Sequence, residues 1–393
     1  MNAGILRRAC VLVTCLAACE LPPAVAPDLP PPRLAPSPPP CPSVVEFCGR
    51  RWSSDTTVIR CARGAEEAEQ SVADLAPLAC LPSLEWLEIE RRRRNEDLSP
   101  LRGLRRLHFL RLDHDTSFDI TPIGELVDLE TLLLPDSSAR DLRPIGRLTK
   151  LHGLDLSGNK ADALPIERLT ELRTLDLSRT AFRDLSALAH LQKLEVLKLD
   201  IAYVNDERAR PLAGLGALRT LSAHFADLRT GAALERLTQL EELDLGNSQL
   251  EDLTAVSRAP RLRKLNLDAT KVTDLRPLSA LTLLEELNLS STPVRDFAPL
   301  GALRSLRSLR LNRTAIADLT PIARLDELRD LHLENTPVSS LEPLHRLKQL
   351  ESVWLYYDPF FLAKMLSVPK GDHPMKKQIE ALKKALPGVR VFE

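Results

Sequence analysis

Leu262-Arg263-Lys264-Leu265-Asn266-Leu267-Asp268-Ala269-Thr270-Lys271-Val272-Thr273-Asp274-Leu275-Arg276-Pro277-Leu278-Ser279-Ala280-Leu281 is the stretch that decides the fold. Leu265 and Leu267 alternate with outward residues, as a half-buried strand requires, and Val272, Leu275, Leu278 and Leu281 return to the same interior. The opening pattern Leu-x-x-Leu-x-Leu starts at Leu84, Leu107, Leu129, Leu151, Leu172, Leu194, Leu218, Leu240, Leu262, Leu284, Leu306, Leu328 and Leu350, thirteen units at steps of 21 to 24 residues. Burying a Leu stabilises by roughly 1.5–3 kcal/mol while ordering each residue costs about 1–2 kcal/mol, so one unit does not fold alone. Stacked neighbours share a core, which makes the chain a solenoid.

The turns repeat in the same register. Asp-Leu-x-Pro-Leu or a close variant recurs at Asp74, Asp97, Asp119, Asp141, Asp274, Asp296 and Asp318. Such an Asp accepts from free N–H groups opening a short helical turn, and a Pro there gives up no needed donor. Thr or Ser stands at the ninth position of many units (Thr180, Ser248, Thr270, Thr292, Thr314, Thr336), which predicts a hydroxyl ladder satisfying buried loop backbone.

From Leu75 to Asp358 this combination resembles the internalin-like, 22-residue class of bacterial leucine-rich repeat proteins. The resemblance implies an α/β-type solenoid: a concave parallel β-sheet, convex 3₁₀ or short helical turns, and binding of macromolecular partners with no catalytic residues to carry over.

Arg7 and Arg8 precede an apolar run from Ala9 to Ala18 that ends Leu16-Ala17-Ala18-Cys19. This resembles a bacterial lipoprotein signal peptide with its lipobox, which implies removal of residues 1–18 and lipidation of Cys19. An ordinary secretory signal is the alternative; a run of about ten residues is too short to span the roughly 30 Å bilayer core. Glu20 in place of Asp after the Cys implies, by the same resemblance, an outer-membrane lipoprotein of the bacterial cell envelope. Residues 19–42 then form a tether, since eleven prolines between Pro22 and Pro42 favour extended polyproline II and leave nothing to build a core. A Pro-rich ligand for a partner domain is the other reading of that segment.

Cys41, Cys48, Cys61 and Cys80 remain in the exported chain, clustered before the repeats. Four such cysteines predict two disulfides with three possible connectivities, and zinc is the alternative although the two-residue spacings of structural zinc sites are missing. Residues 43–80 resemble a Cys-rich N-terminal cap, residues 81–358 hold the repeats, and residues 359–393 form a C-terminal cap. In that last segment, beyond Trp354, Tyr356, Tyr357, Phe360 and Phe361, a helical stripe of Met375, Ile379, Leu382 and Leu386 covers the last repeat, and Val389 to Phe392 add a final strand.

The chain is 44% hydrophobic but only 4% aromatic, so Leu columns rather than aromatic clusters build its interior. Its formal charge of −1, becoming −3 once Arg7 and Arg8 leave, argues against general nucleic-acid binding. Arg91 to Arg94 reads as a solvated loop rather than a phosphate site. The scattered histidines, the scarcity of Gly and the absence of a nucleophile elbow or phosphate-cradling loop point to a protein that is no enzyme and needs no cofactor or metal.

Function therefore lies on the outward strand positions, the third, fifth and seventh of each unit. Early units present Trp86 and Phe109, late ones Trp354 and Tyr356, and the middle presents Asp155, Asp176, Asp200, Glu242, Asp244, Asp268 and Glu286 against Lys198, Lys264 and Arg179. An acidic strip between aromatic anchors suits a basic or amphiphilic protein surface. Surface polarity for solubility, calcium held by the acids, and a glycan or cell-wall ligand stand as alternatives, and the membrane is reached only through the lipid. Unit seven is irregular: 24 residues separate Leu194 from Leu218 and Ala223 replaces a core Leu, which predicts locally altered curvature and marks either repeat drift or a partner site.

Overall fold

The computed structural model describes residues 41–61, 74–90, 97–113, 119–356 and 375–392, and residues 42–393 fall in one compact unit. Residues 1–18, which the sequence suggests as a signal peptide, Cys19, the prolines up to Pro40, Arg91–Arg94, Tyr357 and Phe360–Phe361 lie outside the described residues.

Two strands, β1 (Val44–Phe47) and β2 (Arg50–Ser53), form an antiparallel hairpin. Its two-residue turn, Cys48-Gly49, has φ of 52° and 69°, the doubly left-handed geometry whose twist suits a tight hairpin. The remaining strands are β3 (Val58–Cys61), β4 (Trp86–Ile89), β5 (Phe109–Leu112), β6 (Thr131–Leu133), β7 (Gly153–Asp155), β8 (Thr174–Asp176), β9 (Val196–Lys198), β10 (Thr220–Ser222), β11 (Glu242–Asp244), β12 (Lys264–Asn266), β13 (Glu286–Asn288), β14 (Ser308–Arg310), β15 (Asp330–His332), β16 (Ser352–Trp354) and β17 (Arg390–Phe392). They lie side by side in chain order as a 15-stranded parallel sheet.

From Leu262 to Leu350 every unit steps by the same 22 residues, and the fourth-position residues pair in one row through Leu265, Leu287, Leu309, Leu331 and Val353. All five are at most 2% exposed. The irregular seventh unit does not break that row: Leu197, Leu221 and Leu243 pair directly, and Ala223 is fully buried at its core position. The extra residues leave the sheet and form a loop whose Asn205 bridges Asp227.

Leaving the sheet requires a sharp bend. At the eighth position ten successive units are left-handed: Asp136, Gly158, Arg179, Ile201, Phe225, Asn247, Ala269, Ser291, Arg313 and Asn335 all have φ between 54° and 72°. The reason is visible in the ladder. Each of these amides still donates to the seventh-position carbonyl of the next unit, as Asn247 does to Asp268 at 2.6 Å and Asn335 to Tyr356 at 3.0 Å, while the chain turns away.

Beyond the bend the expected hydroxyl ladder is present. Thr270, Thr292, Thr314 and Thr336 donate Oγ1 to the sixth-position carbonyls of Leu267, Leu289, Leu311 and Leu333 at 2.6–2.8 Å. In the fourth unit Asn159 takes this place, giving Nδ2 to the Ser137 and Ala139 carbonyls and accepting from the Ala161 amide. The return then makes a 3₁₀ turn whose opening amide is capped by the predicted Asp, for example Ala76 on Asp74, Arg143 on Asp141 and Thr320 on Asp318 at 2.8–3.0 Å. The Pro sits within the first two turn positions, where no donor is lost.

These caps carry a pH signature. The Arg143 guanidinium and amide hold the Asp141 carboxyl down at about 2, and Arg276 does the same for Asp274 in direction. Hydroxyl and amide donors lower Asp97, Asp119, Asp252 and Asp318. A carboxylate whose folded pKa is depressed contributes stability above its unfolded value, near 3.9, and loses it as pH falls through the folded value. The melting temperature is therefore expected to drop between about pH 4 and pH 2, and Asp→Asn changes at positions 97, 119 and 141 together to flatten that slope. A melting curve indifferent to pH across this window would show that the caps stabilise nothing.

Both ends are closed. β3 adds the first strand, pairing Ile59 with Leu87, and Val45, Phe47 and Ile59 join the core. Cys48 and Cys61 are disulfide-linked, and Cys41 and Cys80 form the other bridge. At the far end α1 (Lys376–Ala385) packs on the 3₁₀ turn Glu342–Arg346, with Ile379 and Leu382 buried and Gln378 Oε1 accepting from the Leu341 amide. β17 then pairs Val391 with Val353. No helix among the described residues is long and apolar enough to cross a membrane.

Candidate functional site

The third, fifth and seventh positions form the open face of the sheet. The fifth-position acids have a job there that spacing alone does not announce. Asp155 accepts from the amide of Ser157 at 2.8 Å, Asp176 from Ser178 at 2.9 Å and Asp244 from Gly246 at 2.8 Å. Asn266 and Asn288 do the same for Asp268 and Ser290. One oxygen of each thus holds the start of the outgoing turn. The sequence does carry the sign of this: Asp or Asn recurs at the fifth position, and either residue supplies that acceptor.

Burial pushes the Asp155 carboxyl above the usual carboxylate range, with Asp176 adding to the rise, although its bond to Ser157 pulls the other way. Asp155→Asn keeps the acceptor and removes a half-buried charge, so it is expected to leave the melting temperature unchanged or raised. Asp155→Ala is expected to cost about 1 kcal/mol. Thermal melts giving Ala equal to wild type would show that the turn bond contributes no stability.

The other predicted acids divide. Asp200 accepts from the Ser222 hydroxyl at 2.6 Å and the His224 amide at 2.8 Å. Glu242 and Glu286 flank Lys264 at 3.2 and 3.5 Å, and together they raise its pKa, the Glu242 hydrogen bond most. Lys198 lies 3.6 Å from Asp176, and Arg179 is taken by Asp136 at 3.2 Å. Charges on the rim at the second position pair among themselves, as in Arg219–Glu241 at 2.8 Å and Arg329–Glu351 at 3.4 Å. No Lys or Arg among the described residues forms an ion pair with Asp155, Asp200 or Asp244. The acidic excess of the middle strands is therefore real after internal pairing is subtracted.

The aromatic anchors are arranged differently from free-standing hot spots. Trp86 and Phe109, opposite each other on β4 and β5, stack at 3.6 Å with Arg60 over the Trp86 ring. His332, Trp354 and Phe392 form a second stack across β15, β16 and β17, at 5.3 and 3.8 Å. Adjacent parallel strands are about 4.8 Å apart, so in-register rings cover each other's faces. Tyr356 stays exposed at the rim.

Two hollows lie on this face. One of about 360 Å³ brings together Glu242, Asp244 and Glu286 with Lys264, Asn266, Asn288 and Ser222. The other, about 790 Å³, gathers Asp268, Arg310, Asn312, Arg313, Glu334, Trp354 and Tyr356. Asp155, Asp176 and Asp200 line neither, and Trp86 and Phe109 belong to the opposite end of the sheet. No group of three or more His, Cys, Asp or Glu suited to a metal occurs among the described residues.

The sequence matches no family model and no curated protein. Solved structures do match. An internalin from Listeria monocytogenes superposes with a TM-score of 0.68 at 25% identity, over 78% of this chain and 89% of that one. A leucine-rich repeat protein of Leptospira interrogans gives 0.69 at 22% identity over 82% of both chains. The fold is a leucine-rich repeat solenoid. A plant peptide hormone receptor solved with its hormone shares it at 17% identity and a TM-score of 0.57, over 73% of this chain and 49% of that one. The solenoid thus has bacterial structural neighbours, and it is closed by a Cys-bridged first strand and a helical last turn.

Proposed function

We propose that this solenoid is a non-catalytic binding module that takes a basic protein surface on the open face of its sheet, displayed on the bacterial cell envelope by a lipid on Cys19 and the Pro-rich tether. The observation that carries the reading is the acidic excess on β7 to β13, where Asp155, Asp200 and Asp244 form no ion pair with Lys or Arg among the described residues. Complementary charge of this kind steers encounter and selects partners. Protein recognition also fits the neighbours, since the internalin carries the same repeat architecture and the plant receptor was solved in complex with a peptide hormone.

The test uses substitutions that spare the fold. Asp155→Asn, Asp176→Asn and Asp244→Asn keep the turn acceptor that Asn266 and Asn288 already provide, yet remove three charges. Cross-linking from native envelopes is expected to recover one basic protein with the wild-type chain and to lose it with the triple variant. Equal capture would make the strip a solubility surface. Binding to isolated polysaccharide or peptidoglycan without any protein would favour the glycan reading. Incorporation of labelled palmitate into wild type but not Cys19→Ser checks the anchor.

A further inference from the structure

The irregular seventh unit and the longer unit that leads into it hold three side chains that the acidic strip does not use. Ile201, Tyr203 and Phe225 are 48%, 73% and 55% exposed, and all three have left-handed backbone with φ of 58°, 50° and 61°. Ile201 and Phe225 occupy the same eighth position in adjacent units, linked by the Ile201 amide donating to the His224 carbonyl at 2.8 Å. The left-handed region is one that Gly, Asn and Asp enter readily, and a β-branched residue there is a genuine outlier. Other units make the same bend with Asp136, Gly158, Arg179, Asn247, Ala269, Ser291, Arg313 or Asn335, none of which sets a large apolar side chain there. Two bulky apolar residues at consecutive strained, water-facing positions oppose both folding and solubility, and strain retained in this way gathers at sites of function.

The patch is held rigidly. The residues that make this unit longer form a loop in which Arg208 donates to the Tyr203 carbonyl at 2.9 Å and its amide to Asn205 Oδ1 at 3.0 Å. Asp206 accepts from the Arg229 and Thr230 amides at 3.2 and 3.3 Å. Phe225 meets the His224 ring edge-on at 4.6 Å, and His224 reaches Asp244 on one nitrogen and Asn247 on the other. The apolar patch is therefore continuous through His224 with Asp200 and Asp244, two carboxylates that no Lys or Arg among the described residues neutralises.

We propose that Ile201, Tyr203 and Phe225 are the anchoring patch for a protein partner that presents an exposed aliphatic or aromatic side chain beside a Lys or Arg. The apolar side chain covers the patch and the cation reaches Asp200 and Asp244. This rests on the reading of the solenoid as a binder of basic proteins and assigns where the partner's apolar contact lands.

The probe is a phage-displayed library of random dodecapeptides panned on the purified, oxidised chain. Enriched peptides are expected to join Leu, Phe or Trp to Lys or Arg, and a synthetic consensus peptide to bind wild type at least about tenfold tighter than the Ile201→Asn/Phe225→Asn variant. Asn suits the left-handed bend, so this variant is expected to melt no lower than wild type, and up to about 2 °C higher. Tyr203→Ser, a surface change, is expected to weaken binding severalfold and guards against a folding artefact. Peptide binding that survives all three patch substitutions but is lost in the Asp155, Asp176 and Asp244 triple variant would overturn the patch and leave the acidic face standing. Loss in the patch variants alone would support the apolar anchor, refute the acidic strip and overturn the placing of the partner's cation at Asp244. No enrichment of apolar-plus-basic peptides would overturn the proposal outright.

Discussion

Leu309→Ala is expected to destabilise the solenoid by about 3–5 kcal/mol, far more than a change on its solvated face would. Leu309 is fully buried on β14 and pairs in register with Leu287 and Leu331. Its neighbours cannot collapse into the void, because each is pinned by its own strand pairing and by a 3₁₀ turn on the far side, so the cavity term adds to the lost transfer energy. The location of the loss follows from the architecture. Each unit packs its apolar core against its immediate neighbours, so stability is close to a chain of nearest-neighbour interfaces, and weakening one in the interior lets the flanking blocks part company. Urea unfolding followed by circular dichroism should show a first transition at lower denaturant and a shallower slope than wild type. A single, equally steep transition displaced by less than about 1 kcal/mol would mean that the Leu row relaxes freely instead of holding its shape around the void.

Opening the N-terminal bridges is the second large effect. The Cys48–Cys61 pair closes 13 residues of sequence and is expected to stabilise by about 3 kcal/mol through the entropy of the unfolded chain, and the Cys41–Cys80 bridge, with its longer loop, by about 4 kcal/mol. Without them the hairpin and β3 are the elements at risk. β3 has only one neighbour in the sheet, and the hairpin is a separate two-stranded sheet, a structure marginal in water by itself. Losing β3 exposes Leu87 and Ile89, which are otherwise fully buried. Cys48→Ser/Cys61→Ser and a reduced wild-type chain should both melt lower, and hydrogen exchange should place the early opening at residues 44–61 and 84–90. Free thiols at these cysteines in the native protein, found by mass mapping without reduction, would sink the disulfide assignment.

Most of the architecture was legible because it is local and periodic. The Leu spacing named the strand row, Asp-Leu-x-Pro named the capped 3₁₀ turn, and the ninth-position hydroxyls named the ladder on the sixth-position carbonyls. Met375, Ile379, Leu382 and Leu386 announced the closing helix, and Val391 the strand after it. The candidate site was legible only as a column of residue types. That Asp155, Asp176 and Asp244 each spend one oxygen on a turn amide depends on the side-chain rotamer and on the bend two residues on, neither of which spacing encodes.

What the amino-acid order determined by itself is the repeat: its period, which face is apolar, and which turns are capped, since each of these is settled within a single unit of the chain. Only the tertiary structure decided the rest. The choice among three cysteine pairings, the recruitment of Ile59 into the sheet, the stacking of Trp86 on Phe109 and of Trp354 between His332 and Phe392, and the placing of Ile201 next to Phe225 all bring together residues from different units or from cap and repeat. The physical reason is that in-register parallel stacking sets neighbours about 4.8 Å apart across the solenoid, so what a side chain meets is fixed by a residue one whole turn away.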